Sequence, residues 1–296
     1  MLPRSVEFRL LGPVQLWVDR KPVHIGPPLR RTILAILLIE ANRLTSSERL
    51  VDAVWGDRPP PAARDIIASH IARLRRTLSA TGAQLPRASA GGYRLEVTTD
   101  AIDMHRFRDL LRRSHAVEEA DDAHALTREA LDLWRGEPFT GTVGPWLPQV
   151  AASLTQQWLA AYLDHAAREI RHGRAHLVVD ELVELATRFP LDEKLLAAQM
   201  IALSCTGRRS DALMCFEHTR RRLADELGAD PSHALQAAHR AILDGAQPVE
   251  TQYRSALEPA VDLTAVATVV RQTVRAEIQS FFAYLSNYFL DLRRQD

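Results

Sequence analysis

Lysine and cysteine are both scarce in this sequence of 296 residues, and long apolar runs are missing. The two cysteines, Cys205 and Cys215, are too few for a disulfide framework, and neither lies in a CxxC motif. No run of about 18 consecutive apolar residues occurs, which argues against a membrane span and predicts no membrane partner. The amino terminus lacks the charged and apolar regions of a signal peptide, so we expect a cytoplasmic protein.

The motifs that usually reveal an enzyme are also missing. The eleven histidines are scattered, no carboxylate pair or Ser/His/Asp set clusters, and no GxxxxGK phosphate loop occurs. We therefore predict that the protein is not an enzyme. The sequence also indicates no cofactor, no metal ion and no catalytic residue.

The two parts of the chain differ in charge, although the whole is neutral. Residues 1–99 hold 15 basic and 8 acidic side chains, and residues 100–296 hold 22 basic and 29 acidic ones. The surplus is therefore seven positive charges in the first part and seven negative charges in the second. This separation is typical of a phosphate-binding module joined to a domain that does not bind nucleic acid.

The first 60 residues change from strand-like to helical periodicity. Residues 6–18 and 23–25 are rich in β-formers and predict a short hairpin sheet. An apolar helix is predicted over residues 29–41. Thr45-Ser-Ser-Glu48 has the pattern of a capping box, so a second helix is predicted over about 46–55, before three prolines.

A third helix, predicted over residues 62–79, has two contrasting faces. Its apolar positions are four, three and four residues apart and should face a core: Ile67, Ile71, Leu74 and Leu78. Its opposite stripe carries Asp65, Ser69, Ala72, Arg73 and Arg76. The turn at Gly91-Gly92 and the alternating residues 93–97 then predict a β-hairpin wing. Three helices followed by a wing indicate a winged helix-turn-helix.

This arrangement predicts binding to double-stranded DNA. A helix fits the major groove, where residues near its N-terminal half reach base edges and arginines neutralise phosphates. Asp65 and Ser69 are thus candidates for base recognition, with Arg64 beside them. Arg73 and Arg76 are candidates for the DNA backbone, and Arg87 and Arg94 on the wing for the minor groove or phosphates.

The remaining sequence is helical. Amphipathic helices are predicted over 103–117, 121–134, 146–172, 175–188, 192–206, 208–227 and 231–243. Gly173 and Gly207 are separated by the period of the tetratricopeptide repeat, about 34 residues. The predicted fold is mainly α: an N-terminal winged helix-turn-helix (α+β) over 1–99, then an all-α tetratricopeptide-like domain over 100–245.

The final residues, 246–296, are predicted to form a linker and an amphipathic helix over 263–292. Its apolar stripe carries Val266, Val270, Val274, Ile278, Phe281, Leu285 and Phe289. This stripe must be covered by something. The sequence leaves three alternatives open, namely the helical domain of the same chain, a dimer or partner interface, and a membrane surface.

Several motifs together resemble one known family. They lie at residues 8–13 (FRLLGP), 26–31 (GPPLRR), 41–43 (ANR), 50–56 (LVDAVWG), 70–76 (HIARLRR), 130–136 (ALDLWRG), 220–228 (RRRLADELG) and 238–243 (AHRAIL). Over about residues 6–245 the sequence resembles the Streptomyces antibiotic regulatory proteins. These combine an OmpR-type, phosphorelay-type winged helix with a bacterial transcriptional activation domain.

The resemblance implies a nucleoid-associated activator of antibiotic biosynthesis genes. Such proteins bind promoter direct repeats as homodimers and recruit the RNA polymerase holoenzyme, including its sigma factor. The resemblance further implies that Arg30 and Arg31 lie near the DNA backbone and that Gly56, Asp57 and Arg58 belong to a polymerase-contact loop. Asp65 and Ala68 replace the family's common Asn and Gln, so a different base sequence is expected.

Two other kinds of function stay open from the sequence. In one, the helical domain senses a metabolite and the protein is a ligand-gated regulator or a repressor. In the other, the chain is a scaffold whose winged helix binds protein, which the basic stripe disfavours.

Overall fold

The chain, described by a computed structural model at residues 5–79 and 91–245, forms two compact units. The first ends at Arg168 and the second begins at Glu169. The predicted boundary after residue 99 lies within the first unit, because the helix that starts at Asp103 packs against the first strand. In the described ranges no helix combines the length and the apolar character needed to cross a bilayer.

The first unit begins with a three-stranded antiparallel sheet, where the sequence predicted a hairpin sheet. Its strands are β1 (Val6–Arg9), β2 (Gln15–Val18) and β3 (Lys21–Val23). Phe8 pairs with Leu16 across β1 and β2, and both side chains are fully buried. Asp19 and Arg20 both have positive φ, 49° and 63°, which suits a two-residue turn between twisted strands.

Three helices follow at nearly the predicted positions: α1 (Pro28–Ile39), α2 (Ser47–Trp55) and α3 (Ala63–Leu78). Pro28 suits the first turn of α1, where an N–H group would have no partner within the helix. The predicted capping box is wrong by one residue. Ser46 caps α2, with its Oγ accepting from the Arg49 N–H at 3.0 Å, whereas Thr45 belongs to a strand.

That strand, β4 (Thr45–Ser46), pairs with β5 (Gly92–Tyr93). A Cβ atom at Gly92 would lie 2.5 Å from the Thr45 carbonyl oxygen, so only glycine fits this pairing. Because this pairing holds Thr45 in extended backbone, Ser46 caps α2 in place of Thr45. The strand predicted over residues 93–97 is shorter than expected, because β5 ends at Tyr93. The part of the predicted wing hairpin before Gly91 lies outside the described residues.

The next helices of this unit are α4 (Asp103–Ala116) and α5 (Ala120–Leu131), followed by α6 (Trp146–Arg171), which continues past the end of the unit. Asp103 is only 3% exposed, at the start of α4. Its carboxylate accepts from the N–H groups of Leu10 and Leu11 at 2.8 and 3.1 Å and pairs with Arg135. Burial raises the pKa of Asp103, and these hydrogen bonds act in the opposite direction.

The segment between α5 and α6, residues 132–145, is here called the connector. Its backbone bonds to the N-terminal sheet region, with Arg135 N–H to the Leu11 oxygen at 2.8 Å and Phe139 N–H to the Leu10 oxygen at 3.0 Å. Phe139 is buried in the same core as α1 to α3. The winged helix and the first helices behind it therefore share one core.

The second unit is helical: α7 (Val179–Arg188), α8 (Glu193–Cys205), α9 (Arg209–Leu227) and α10 (His233–Leu243). The α8 helix packs against the other three and is buried from Leu195 to Leu203. Gly173 and Gly207 have φ of 74° and 81°, left-handed values that favour glycine at these turns. The predicted fold class is confirmed, while the predicted helix 263–292 lies outside the described residues.

Removing the Asp103 carboxylate should destabilise the first unit. In Asp103→Ala three buried N–H groups, those of Leu10, Leu11 and Met104, and the Arg135 guanidinium lose their acceptor, and we expect a loss of about 3 kcal/mol. All five tryptophans lie before residue 169, so their fluorescence during urea unfolding reports on this unit. Asp100→Ala, at an exposed position nearby, is the control and should change stability by less than about 0.5 kcal/mol. Equal stability of the two variants would contradict the anchoring role of Asp103.

Candidate nucleic-acid interface

The α3 helix has one buried and one exposed face, as its spacing predicted. Ile67, Ile71, Leu74 and Leu78 are at most 1% exposed, because they pack on α1 and α2. The opposite stripe is open to solvent and consists of Asp65, Ala68, Ser69, Ala72, Arg73 and Arg76. The charges at the two ends also stabilise the helix dipole, since the acidic Asp65 lies in the first turn and the basic Arg76 in the last.

Arg30 on α1 joins the arginines of α3 and His70 to form what we call the basic patch (Arg30, His70, Arg73, Arg76). Arg30 is held in place, because its Nη1 donates to the Ile25 carbonyl at 3.0 Å. Among residues 5–79 and 91–245, no carboxylate lies within ion-pair distance of these three arginines. Within the described part of the chain, the patch is therefore a concentration of positive charge without a paired carboxylate.

The members of the patch affect one another electrostatically. Burial, followed by the positive charges of Arg73 and Arg76, lowers the pKa of the Arg30 guanidinium. Burial also lowers the pKa of His70, and the charges of Arg30 and Arg73 lower it further. The Nδ1 atom of His70 is buried and has no hydrogen-bond partner among the residues that the structure describes. A phosphate placed here would relieve this mutual repulsion.

Two other predicted site residues lie elsewhere. Arg64 forms an ion pair with Glu48 of α2 at 2.9 Å, and both side chains are largely exposed. Such an exposed pair is weak, so Arg64 can exchange this partner for another anion. The guanidinium of Arg31 lies against the connector, where a Cβ atom at Gly141 would be 3.5 Å from its Cζ. Only Arg30 of the adjacent pair thus belongs to the basic patch.

The remaining predicted residues lie on two surface segments. Arg94 follows β5 and is exposed, whereas Arg87 falls outside the described residues. Gly56 ends α2 with a φ of 60°, a left-handed value that favours glycine. Asp57 and Arg58 follow it on an exposed loop, as a contact surface requires.

His70 and Gly26 were not predicted as site residues. A helical wheel contains the signal for His70, because it lies three residues before Arg73 on the edge of the exposed face. Gly26 has a φ of 113°, and a Cβ atom there would collide with Nη1 of Arg30. Gly26 therefore leaves room for the Arg30 side chain, a role that only the folded arrangement reveals.

Two family profiles match the chain. One, described as "Transcriptional regulatory protein, C terminal", covers residues 22–95. The other, described as "Bacterial transcriptional activator domain", covers residues 102–243. The first contains α1 to α3 and β5, and the second runs from α4 to α10.

Individual proteins are similar over most of the chain. The regulatory protein DnrI of Streptomyces peucetius is 32% identical, over 80% of this chain and 92% of its own length. The transcriptional regulatory protein EmbR of Mycobacterium tuberculosis is 32% identical, over 95% of this chain and 73% of its own. The regulatory protein AfsR of Streptomyces coelicolor is 34% identical over 94% of this chain, which spans only 28% of that protein.

A solved structure shows the same fold. It is that of Mycobacterium tuberculosis EmbR in complex with a low-affinity phosphopeptide, with a TM-score of 0.75 and 31% identity. The match covers 91% of this chain and 71% of the EmbR chain.

The position of His70 predicts a pH dependence of binding to a duplex. Its pKa is lowered in the free protein, and nearby phosphates should raise it, so binding takes up a proton. Affinity should therefore rise as the pH falls from about 8 to about 5.5, by a factor of about 3 to 10. Fluorescence anisotropy with a random-sequence duplex measures this.

The His70→Gln variant should lose most of that pH dependence, because glutamine does not titrate. His233→Gln, in the second unit, serves as the matched control and should behave like the unaltered protein. The same pH dependence in His70→Gln and the unaltered protein would exclude His70 from the interface.

Proposed function

Because the chain belongs to the Streptomyces antibiotic regulatory protein family of transcriptional regulators, we propose that it activates secondary-metabolite genes from promoter direct repeats. The observation that carries this proposal is the exposed stripe of α3 beside the basic patch, whose arginines have no carboxylate partner in the described part of the chain. In this function the winged helix binds DNA, and surfaces outside the exposed stripe of α3 recruit RNA polymerase.

In the proposed complex, α3 lies in the major groove. Asp65, Ala68 and Ser69 are in its N-terminal half and exposed, and Ala72 continues the same stripe. A carboxylate accepts a hydrogen bond from the amino group of cytosine, and a methyl group contacts that of thymine. These residues would read the sequence, because their side chains are short and let the helix approach the bases closely.

Phosphate contacts would come from the basic patch and the wing. Arg73 and Arg76 lie toward the C-terminal half of α3, and Arg30 reaches the same surface from α1. Arg31 would contribute only a peripheral charge, since it lies against Gly141. Arg94, with Arg87, would hold the duplex at the wing.

Polymerase recruitment is assigned to the α2–α3 loop, residues 56–62. The loop is exposed at Asp57 and Arg58. Its last residues, Pro59 to Ala62, also line a groove of about 460 Å3, together with Glu48 and Asp52 of α2 and the first turn of α3. On direct repeats a homodimer would present two such loops beside the promoter, where the sigma factor of the holoenzyme binds.

A groove between α7, α8 and α9 favours a second candidate function, that of a ligand-gated regulator or repressor. It has a volume of about 430 Å3 and is lined by Leu196, Leu203 and Met214, with Gln199 and Arg222 as polar groups. This size and mixture suit a small molecule. Footprinting with and without RNA polymerase separates the two functions, because an activator extends protection with polymerase and a repressor excludes it.

The double variant Arg73→Ala/Arg76→Ala should weaken binding to every duplex. Losing two phosphate contacts should reduce the slope of log affinity against log salt by about 2. Anisotropy titrations at several salt concentrations measure this slope. The control is Arg220→Ala/Arg221→Ala in α9, which removes the same charge from residues that pair with Glu217. Equal slopes for the two double variants would contradict docking through α3.

Ser69→Ala should change sequence preference rather than general affinity. A lost base contact changes discrimination by about 1 to 3 kcal/mol at one or two positions. Selection of sites from a random duplex pool, compared with the unaltered protein, measures the change. Arg76→Ala is the control and should keep the selected sequence. An unchanged preference in Ser69→Ala would remove Ser69 from base recognition.

A further inference from the structure

The end of the connector packs closely on the end of α2. A Cβ atom at Gly144 would lie 2.5 Å from the Val54 carbonyl oxygen and 3.2 Å from that of Ala53. One residue later, Pro145 reaches Gly56, where a Cβ atom would be 3.3 Å from its Cγ. The connector therefore contacts the residue at which the α2–α3 loop begins.

Two further contacts hold this part of the chain in place. The Arg49 guanidinium of α2 lies 4.4 Å from the ring centroid of Trp146, a cation–π distance. On α1, the Thr32 hydroxyl donates to the Val143 oxygen at 3.0 Å and accepts from the Val143 N–H at 2.9 Å. Residues 143–146 are thus fixed to α1 and α2 at successive positions.

The α2–α3 loop has few hydrogen bonds of its own. Pro59, Pro60 and Pro61 have no N–H group. The described backbone bonds of the loop are Gly56 to Asp52 at 2.8 Å, Arg58 to Trp55 at 3.4 Å, Ala63 to Pro60 at 2.9 Å and Ile66 to Ala62 at 3.0 Å. The first loop residues, Gly56 and Arg58, bond to the last turn of α2. Their position therefore follows that turn and whatever packs against it.

We propose that residues 143–146 form a brace that positions the α2–α3 loop, so that Gly144, Pro145 and Trp146 are positioning residues for activation. This rests on the proposed function in one respect, the assignment of the loop to polymerase contact. The brace belongs to the sequence region of the activation domain but acts on the winged helix. It would make activation sensitive to the connector, while the basic patch continues to bind DNA.

The chain offers a matched pair of variants for testing the brace. Gly144 and Gly136 both lie in the connector with left-handed φ, 100° and 127°, so alanine strains the backbone at either position. Only Gly144→Ala creates a clash, because no atom of the described residues lies within 4 Å of a Cβ atom at Gly136. A difference between the two variants therefore reports the contact with α2.

Hydrogen exchange of the full-length protein measures the position of the loop without any partner. In Gly144→Ala, the hydrogen-bonded amides of Gly56, Arg58 and Ala63 should exchange at least about tenfold faster, and in Gly136→Ala within about twofold of the unaltered protein. Affinity for a random-sequence duplex should stay within about twofold for both, since neither residue is in the basic patch. Equal exchange in the two variants would overturn the brace, whatever the DNA results are.

The activation arm uses purified bacterial RNA polymerase and a promoter that carries the sites selected by the unaltered protein. Gly144→Ala should lower transcription at least about fivefold at saturating protein, and Gly136→Ala should not. Faster loop exchange with full transcription in Gly144→Ala would keep the contact but refute its effect on activation. Failure of the unaltered protein to activate would instead count against the proposed function.

If Gly144→Ala does not fold, as judged by circular dichroism, Trp146→Leu replaces it. Leucine keeps apolar volume against the core but removes the aromatic face over Arg49. Trp146→Leu should also raise the rate of hydrogen exchange at the amides of the α2–α3 loop. No change in either exchange or transcription for Trp146→Leu would overturn the proposal.

Discussion

The buried Asp103 carboxylate fixes the start of the helical region to the edge of the N-terminal sheet. It accepts from two consecutive backbone N–H groups, those of Leu10 and Leu11, and pairs with Arg135 from the connector. A buried carboxylate is stable only when its oxygens are fully bonded, so these three elements can hardly separate one at a time. This junction fixes the start of α4, the end of β1 and the connector to one another within the first unit.

One consequence is that the winged helix does not end at its wing. The connector adds backbone bonds to the sheet region, and Phe139, with a φ of 60°, is buried in the core that α1 to α3 share. A non-glycine residue in this conformation is strained, and the surrounding packing holds it. Sequence profiles divide the chain between residues 95 and 102, whereas the packing continues across that division. The winged helix thus depends on residues from the activation region for its own core.

The features that could be predicted from the sequence are those set by local spacing, namely the faces of helices and the positions of turns. The spacing of Ile67, Ile71, Leu74 and Leu78 located both faces of α3, and Gly173 and Gly207 located two turns of the helical unit. The one-residue error at the α2 cap arose because Thr45 pairs with Tyr93, a partner 48 positions away. Asp103 was missed for the same reason, since its partners Leu10 and Leu11 are distant in sequence. Periodicity shows which face is buried but not which element covers it.

The basic patch shows why the site needed the fold as well as the pattern. Arg73 and Arg76 alone are ordinary exposed arginines, which solvent screens well. Packing of α1 against α3 adds Arg30, whose guanidinium is fixed on the Ile25 carbonyl and whose pKa is lowered by burial and by those two arginines. In the free protein these like charges repel one another, which costs free energy. An anion that binds to the patch removes this repulsion. In the proposed complex, a DNA backbone brings several phosphates at fixed spacing and would relieve this repulsion better than single ions do. It would thereby align α3 with the groove beside those phosphates.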